Sequence, residues 1–438
     1  MPYNSYQQRS VEMLFEQIER EIEGRQDELI ALLRRLVAFP TVSPPARNTA
    51  EAQCFVEAYL QELGFATDSW EVFPGDPNVV GVLKGTDSSN YQSLILNGHM
   101  DVAEVGDSSG WTHPPFEGEL TEGLIYGRGV ADMKGGLAAL LFAIRIVREL
   151  GIELKGDLQL QSVIGEEAGE AGTLSCLERG YTADFAVVAD TSDLHIQGQG
   201  GVITGWITVQ SNETLHDGMR SRIIHAGGGV SGASAIEKMA KIIGGLQELE
   251  RHWAVMKSYP GFPPGINTIN PAVIEGGRHA AFIADRCRLW ITVHFYPNES
   301  SESVTREIEE HIAHVAGADP WMRENPPQFH WGGKSMIEDR GEIFPALEID
   351  PKHPGTRLLR ETHRAYVKQD AVVGMSRSVT DAGWFGEAGI PAVIYGPGRL
   401  QDAHAVDEKL ELKQLILYTQ IIASFIAGWC NARKGEEG

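Results

Sequence analysis

Leu94-Ile95-Leu96-Asn97-Gly98-His99-Met100-Asp101 runs from an apolar strand straight into His-x-Asp. Two later stretches follow the same plan. The strand Leu158 to Ile164 stops at Gly165-Glu166-Glu167, and Phe185 to Ala189 stops at Asp190. Between the first and second lies Gly127-Arg128-Gly129-Val130-Ala131-Asp132-Met133-Lys134-Gly135-Gly136, and Asp402-Ala403-His404 comes near the carboxyl end. Imidazoles and carboxylates therefore collect where strands stop, which is where open α/β sheets place their sites. These are hard-to-borderline donors without a cysteine among them, a set suited to a pair of zinc-like ions. The pattern points to metal-assisted hydrolysis.

Working outward from these strands, helical periodicity runs through Leu14, Ile18 and Ile22, then through Leu29, Leu32, Leu33 and Leu36, with Gly24 dividing the two. Pro40, Pro44 and Pro45 end the second helix, and Glu51 to Leu63 is a third. Strands then alternate with helices: Asn78 to Leu83, Ser93 to Asn97, helix Gly136 to Leu150, strand Leu158 to Ile164, helix Thr173 to Glu178, strand Phe185 to Ala189. This is the pattern of an α/β fold with a doubly wound, mainly parallel sheet. After Gly198-Gln199-Gly200-Gly201 the order changes. Strand Trp206 to Val209, helix Gly232 to Leu249, strands Asn270 to Glu275 and Arg286 to Phe295, helix Ser303 to Val315 and strand Gln328 to Trp331 spell β-α-β-β-α-β. That order is a ferredoxin-like sandwich. The first pattern resumes with helix Pro354 to Val367, strand Ala392 to Tyr395 and helix Glu411 to Trp429. The expected organisation is a catalytic domain in two parts, 1–202 and 334–438, with a domain inserted at 203–333.

Bulk composition agrees with an enzyme. A net charge of -23 over 438 residues argues against nucleic acid and against an anionic membrane surface, since both need basic patches. The amino-terminal residues have no apolar run of the signal-peptide kind, and Leu137 to Val147, interrupted by Arg145, is too short to span a bilayer. The four cysteines, Cys54, Cys176, Cys287 and Cys430, form no C-x-x-C, so a reducing, cytoplasmic compartment is expected.

Each motif has a plainer reading beside the functional one. His99 and Asp101 face one side of a strand end, as a metal ligand with its supporting carboxylate or as a polar loop. Asp132 directly precedes a helix, where an aspartate caps or, equally, bridges two cations. Glu166 and Glu167 are adjacent carboxylates after a buried strand. Paired roles resolve their repulsion, one binding metal and the other taking a proton from water, whereas a solvated loop leaves them idle. Asp190 is a helix cap or a ligand, with Asp193 able to stand in for it, and a single histidine such as His404 is more often structural. His311 and His314 on an acidic helix read as a solvated face.

Taken together and in order, Gly98-His99-Met100-Asp101, Gly127 to Gly136, Gly165-Glu166-Glu167, Asp190 and His404 resemble the zinc amidohydrolase family of acetylornithine deacetylase, succinyl-diaminopimelate desuccinylase, aminoacylase and carboxypeptidase G. The resemblance covers nearly the whole chain. It implies two Zn2+ ions, replaceable by Co2+, one held by His99 and Asp190, the other by Glu167 and His404, with Asp132 between them. It further implies Glu166 as general base and then acid, and Asp101 as the partner of His99. The inserted domain would dimerise the chain and send His225 into the partner's site to stabilise an oxyanion. One departure bears on substrate: His294 stands where family members acting on amino-acid derivatives often carry an arginine for the α-carboxylate, and imidazole does not replace that bidentate grip. The stretches Ser43 to Asn48 and Ser258 to Gly265 are most similar to acetylornithine-deacetylase-like proteins, and among these to formylaminopyrimidine deformylases of thiamine salvage. The implied activity is hydrolysis of an N-formyl or N-acyl amide of a small molecule. Acetylornithine deacetylation or dipeptide cleavage is the alternative.

Overall fold

The computed structural model describes residues 3–222 and 233–435. The chain divides into two compact units, Met1–Gln199 with Leu347–Gly438, and Gly200–Ala346. The first unit begins with helices α1 (Tyr3–Gly24), α2 (Gln26–Val37) and α3 (Ala50–Glu62), followed by strands β1 (Ala66–Phe73), β2 (Asp76–Leu83) and β3 (Leu94–His99). Short strands β4 (Glu119–Thr121) and β5 (Leu124–Tyr126) precede α4 (Lys134–Glu149), β6 (Leu158–Val163), α5 (Gly172–Glu178), β7 (Phe185–Val188) and β8 (Ile196–Gly198). The second unit holds β9 (Gly201–Gln210), α6 (Ala235–Met256), β10 (Ile269–Gly276), β11 (Arg286–Phe295), α7 (Ser301–Gly317), β12 (Gln328–Trp331) and β13 (Ile343–Phe344). The chain then returns to the first unit with α8 (Pro354–Val367), β14 (Val373–Met375), α9 (Ala382–Glu387), β15 (Ala392–Ile394), β16 (Lys409–Glu411) and α10 (Leu412–Trp429).

In the first unit β3 lies at the middle of a sheet ordered β1-β2-β6-β3-β7-β15-β8-β14. It is parallel to β6 and β7, and the pairs β7–β15 and β8–β14 are parallel too. Leu94, Ile95 and Leu96 are fully buried, because a strand covered on both faces needs apolar side chains without alternation. Helix α4 buries Leu137 to Ile144 without a break, and α10 packs against it through an equally apolar face. The sheet is therefore mainly parallel, as the alternation of strand and helix implies. Its antiparallel edge, the β1–β2 ribbon, escapes pattern reading at β1, whose residues are all exposed or half-buried. Strands β4, β5 and β16 form a small separate sheet of three-residue segments, too short for any period to show.

The second unit has the sheet order β10-β11-β9-β12, with α6 and α7 burying Trp253, Ile308 and Ile312 against it. That order is the ferredoxin-like arrangement. Its limits lie outside 203–333 for a specific reason. β13 pairs with Val202 and Ile203 of β9, so the stretch after β12 stays with the inserted sheet before the chain returns. Among the described residues, no helix is long and apolar enough to cross a membrane.

Candidate metal centre

The parallel register brings the strand ends into one row. His99 lies opposite Val163 and Asn97 opposite Val188, so His99, the Glu166-Glu167 turn and Asp190 leave the sheet along the same edge. Asp132 comes from the turn before α4. Gly136 lets that helix approach the end of β7: a Cβ there would sit 2.1 Å from the Ala189 carbonyl oxygen. The turn itself is held by Glu408, whose Oε1 accepts from the backbone N–H of Ala131 at 2.8 Å and of Asp132 at 3.1 Å. Its Oε2 accepts from Arg128 Nη1 at 2.6 Å, and both side chains are buried.

Asp132 splits its two oxygens between two histidines. Oδ1 lies 3.2 Å from His99 Nε2, and Oδ2 lies 3.3 Å from His404 Nε2. On the first side Asp190 Oδ2 stands 4.0 Å from His99 Nε2, and on the second Glu167 Oε2 stands 2.8 Å from His404 Nε2. The result is two donor triads, His99–Asp132–Asp190 and Asp132–Glu167–His404, each with its ligand atoms within 4.8 Å of one another. They share only Asp132. His404 is held at φ +58, in the left-handed region that few residues other than glycine adopt, and such local strain collects at functional sites.

His99 Nδ1 lies 2.9 Å from the Asp101 carbonyl oxygen. A carbonyl only accepts, so Nδ1 carries a proton there, and Nε2 is the ring nitrogen turned toward the triad. Asp101 meets His99 through two of its groups. Its main-chain oxygen orients the ring, while its carboxylate, 3.6 Å from Nδ1, accepts from the backbone N–H of Gly165 at 2.9 Å and of Glu167 at 3.0 Å. Those two amides flank Glu166, so Asp101 fixes the turn that carries it. Glu167 is tied further by the Ala103 N–H at 2.9 Å. The Glu166 carboxylate makes no hydrogen bond to another described residue, and its Oε2 lies 3.9 Å from His99 Nε2.

The electrostatics are those of crowded, like-charged groups. Burial, followed by the Asp132 charge, pushes Glu167 and Asp190 up to about 7. Burial and the Asp190 and Glu167 charges lift Glu166 well above the usual carboxylate range, against the pull of His99. Burial opposes ionisation of Asp132 as well, but hydrogen bonds from His404 and His99 hold it far below its ordinary value. Hydrogen bonds to Asp132 and Glu167 raise His404 to about 10. The imidazoles thus serve as the nearest cations for carboxylates that otherwise repel one another. Divalent ions would replace those protons, since metal affinity and proton release are linked. Two nitrogen donors and three carboxylates with one shareable member fit a pair of such ions.

The structure brings together His99, Asp101, Asp132, Glu166, Glu167, Asp190 and His404. His225 lies outside the described residues. Asp193 does not join the site: its carboxylate accepts from Gln414 Nε2 at 2.6 Å. Two contributors escape sequence reasoning. Glu408 is distant in sequence from the turn it anchors. Asp381 is buried before α9, where burial and the charges of Asp101 and Asp190 push it to about 7 against the pull of His99. Neither sits in a motif. Only their depth in the fold marks them.

Comparison with known proteins gives a consistent picture. The profile described as peptidase family M20/M25/M40 matches residues 95–428. The chain is 62% identical over 417 residues to the N-formyl-4-amino-5-aminomethyl-2-methylpyrimidine deformylase of Bacillus subtilis (strain 168), covering 95% of this chain and 98% of that protein. It is 61% identical to the Halalkalibacterium halodurans protein of the same name, covering 96% and 99%. Among solved structures, an M20 family metallo-carboxypeptidase from Sulfolobus solfataricus superposes with a TM-score of 0.71 at 17% identity, covering 92% of this chain and 100% of that one. A dinuclear metal binding peptidase of the M20 family from Bacillus subtilis gives a TM-score of 0.64 at 16% identity, covering 92% and 98%. At these identities the structural likeness speaks to fold alone.

Proposed function

The chain belongs to peptidase family M20/M25/M40 and is a metal-dependent hydrolase of linear amides, and on that premise we propose that it releases formate from N-formyl-4-amino-5-aminomethyl-2-methylpyrimidine, as in thiamine salvage. The observation that carries the substrate is the 62% identity to the Bacillus subtilis deformylase along 95% of the chain. The absence of a carboxylate on that molecule agrees with His294 standing in place of an arginine clamp.

In this reading His99, Asp132 and Asp190 hold one Zn2+ or Co2+, and Asp132, Glu167 and His404 hold the other. When bound, such a pair would supply Lewis-acid polarisation of an amide carbonyl and would lower the pKa of a water. Glu166 then does the proton work. Its carboxylate takes a proton as the water oxygen bonds to the formyl carbon. The acid so formed delivers that proton to the amide nitrogen as the C–N bond breaks, leaving formate and a primary amine. Asp101 keeps Glu166 in place through the amides on either side of it. His225 is assigned the oxyanion across a homodimer formed by the inserted unit, on the strength of the sequence resemblance. The exposed edge strand β10 suits such pairing. Four free thiols support a cytoplasmic setting.

The test is a steady-state comparison of formate release from the formylated pyrimidine with acetate release from N-acetylornithine. The formylated pyrimidine is expected to have the higher kcat/KM. A tenfold preference for acetylornithine would overturn the assignment.

A further inference from the structure

Chain neighbours of two of these donors wall a cavity of about 410 Å3 in the first unit. Thr191 follows Asp190 directly and donates its backbone N–H to that carboxylate at 2.5 Å, and Leu400 lies shortly before the loop that carries His404. The volume is in the range of small-molecule sites. Met375 and Leu400 give the wall apolar surface, and Gln197 of β8 and Arg377, just past β14, give it polar ends.

The polar groups around this cavity fall into two kinds. Arg399 is already engaged by Glu411 at 2.5 Å and lies 3.7 Å from Asp193. Gln199, two residues beyond Gln197, uses its carboxamide on the backbone and hydroxyl of Thr380. Gln197 and Arg377, by contrast, have no hydrogen bond or ion pair to another described residue through their side chains. Their hydrogen-bonding capacity is left for whatever enters the cavity.

We propose that this cavity receives the leaving-group ring and that Gln197, with Arg377, reads the edge of an aminopyrimidine. The inference rests on the deformylase reading above. A 4-aminopyrimidine offers a ring-nitrogen acceptor beside an amino donor, and a second ring nitrogen further round. A primary carboxamide complements the first pair, its N–H donating to the ring nitrogen while its oxygen accepts from the amino group, as Asn and Gln do with adenine. A guanidinium has donors only and suits the remaining ring nitrogen. The Met375 thioether and Leu400 suit the ring face and its methyl group. A leaving group without this adjacent acceptor and donor would match only one end of the Gln197 carboxamide. The cavity therefore selects a neutral heteroaromatic amine.

The experiment uses the full-length, zinc-loaded enzyme and its Gln197→Leu, Gln197→Asn and Arg377→Met variants. It measures kcat/KM for the formylated aminopyrimidine and for N-formylbenzylamine, which has the ring without nitrogens or amino group. It also measures by calorimetry the Kd of the free aminomethylpyrimidine. Gln197→Leu is expected to lower the ratio of the two kcat/KM values, and to weaken product binding, by roughly 10- to 100-fold. Gln197→Asn should lose less, because it keeps the carboxamide chemistry at a shorter reach. If the wild type releases no formate from the pyrimidine, the deformylase reading fails and takes the cavity assignment with it. If the wild type is active but Gln197→Leu and Arg377→Met keep its ratio and its product Kd, the cavity assignment alone is overturned.

Discussion

Asp319 of the inserted unit and Asp190 of the catalytic unit are both buried carboxylates, and the chain treats them in opposite ways. Asp319 is 2% exposed, and Lys238, 3% exposed, meets its two oxygens at 3.0 and 2.8 Å. Lys241 binds the same carboxylate, and the backbone amides of Trp321 and Met322 donate to it. Burial opposes its charge, yet the lysines hold it well below the usual carboxylate range. Asp190 receives one backbone amide, faces Asp132 and Glu166 as well as His99, and is pushed to about 7. A buried charge is stable only when paired. Where the chain completes the pairing, the carboxylate is structural. Where it does not, the group awaits a cation, and the unpaired state marks function.

The strongest way to break this contrast lies at Glu166. Glu166→Ala should lower kcat by roughly 10²–10⁴-fold while the zinc content of the purified enzyme stays at the wild-type level. Loss of zinc instead would exchange the roles of Glu166 and Glu167. Next in size is the structural carboxylate. Asp319→Ala leaves Lys238 buried without a counter-charge and should destabilise the inserted unit by about 3–5 kcal/mol, read by urea unfolding. A fold that tolerates the change would remove one side of the comparison. Zinc should then act on the catalytic unit alone. Saturation at a hundredfold excess over Kd is expected to add about 2.7 kcal/mol per bound ion to the stability of the metal-stripped protein, and Asp190→Asn should diminish that gain.

The smallest effect is one of sign with pH. For Asp319 the folded pKa is depressed, so its contribution is complete above the ordinary aspartate value and is lost as pH falls below about 4. For Asp190 and Glu167 in the metal-free protein the folded values are raised to about 7. Their contribution is present at low pH and is lost as pH rises from about 4 to about 7. Stability curves of the metal-stripped protein should show both limbs, and zinc should remove the second.

Much of this is legible in the sequence because the fold puts its simplest pattern beside its chemistry. Strands β3, β6 and β7 sit deep in the sheet, and their ends carry His99, Glu166, Glu167 and Asp190 within a few residues of the strand. What is not legible depends on closure of the chain. Glu408 meets Asp132 only when the turn and the carboxyl-terminal loop come together. That the main-chain carbonyl of Asp101 meets His99 beside its carboxylate is a matter of main-chain geometry, to which residue identity is blind. β1 shows no buried face, and β13 is too short to have a period, so both the sheet's edge and the limit of the inserted unit elude pattern reading.

The central claim is that the crowded carboxylates around Asp132, with only two imidazoles among them, form a two-metal site for deformylation. It is tested most directly by titrating the metal-stripped protein with Zn2+ while following formate release from N-formyl-4-amino-5-aminomethyl-2-methylpyrimidine. The expected result is no release without metal and a rise that levels off at about two equivalents per chain. Release that is independent of zinc, or that is complete at a single equivalent, would contradict it.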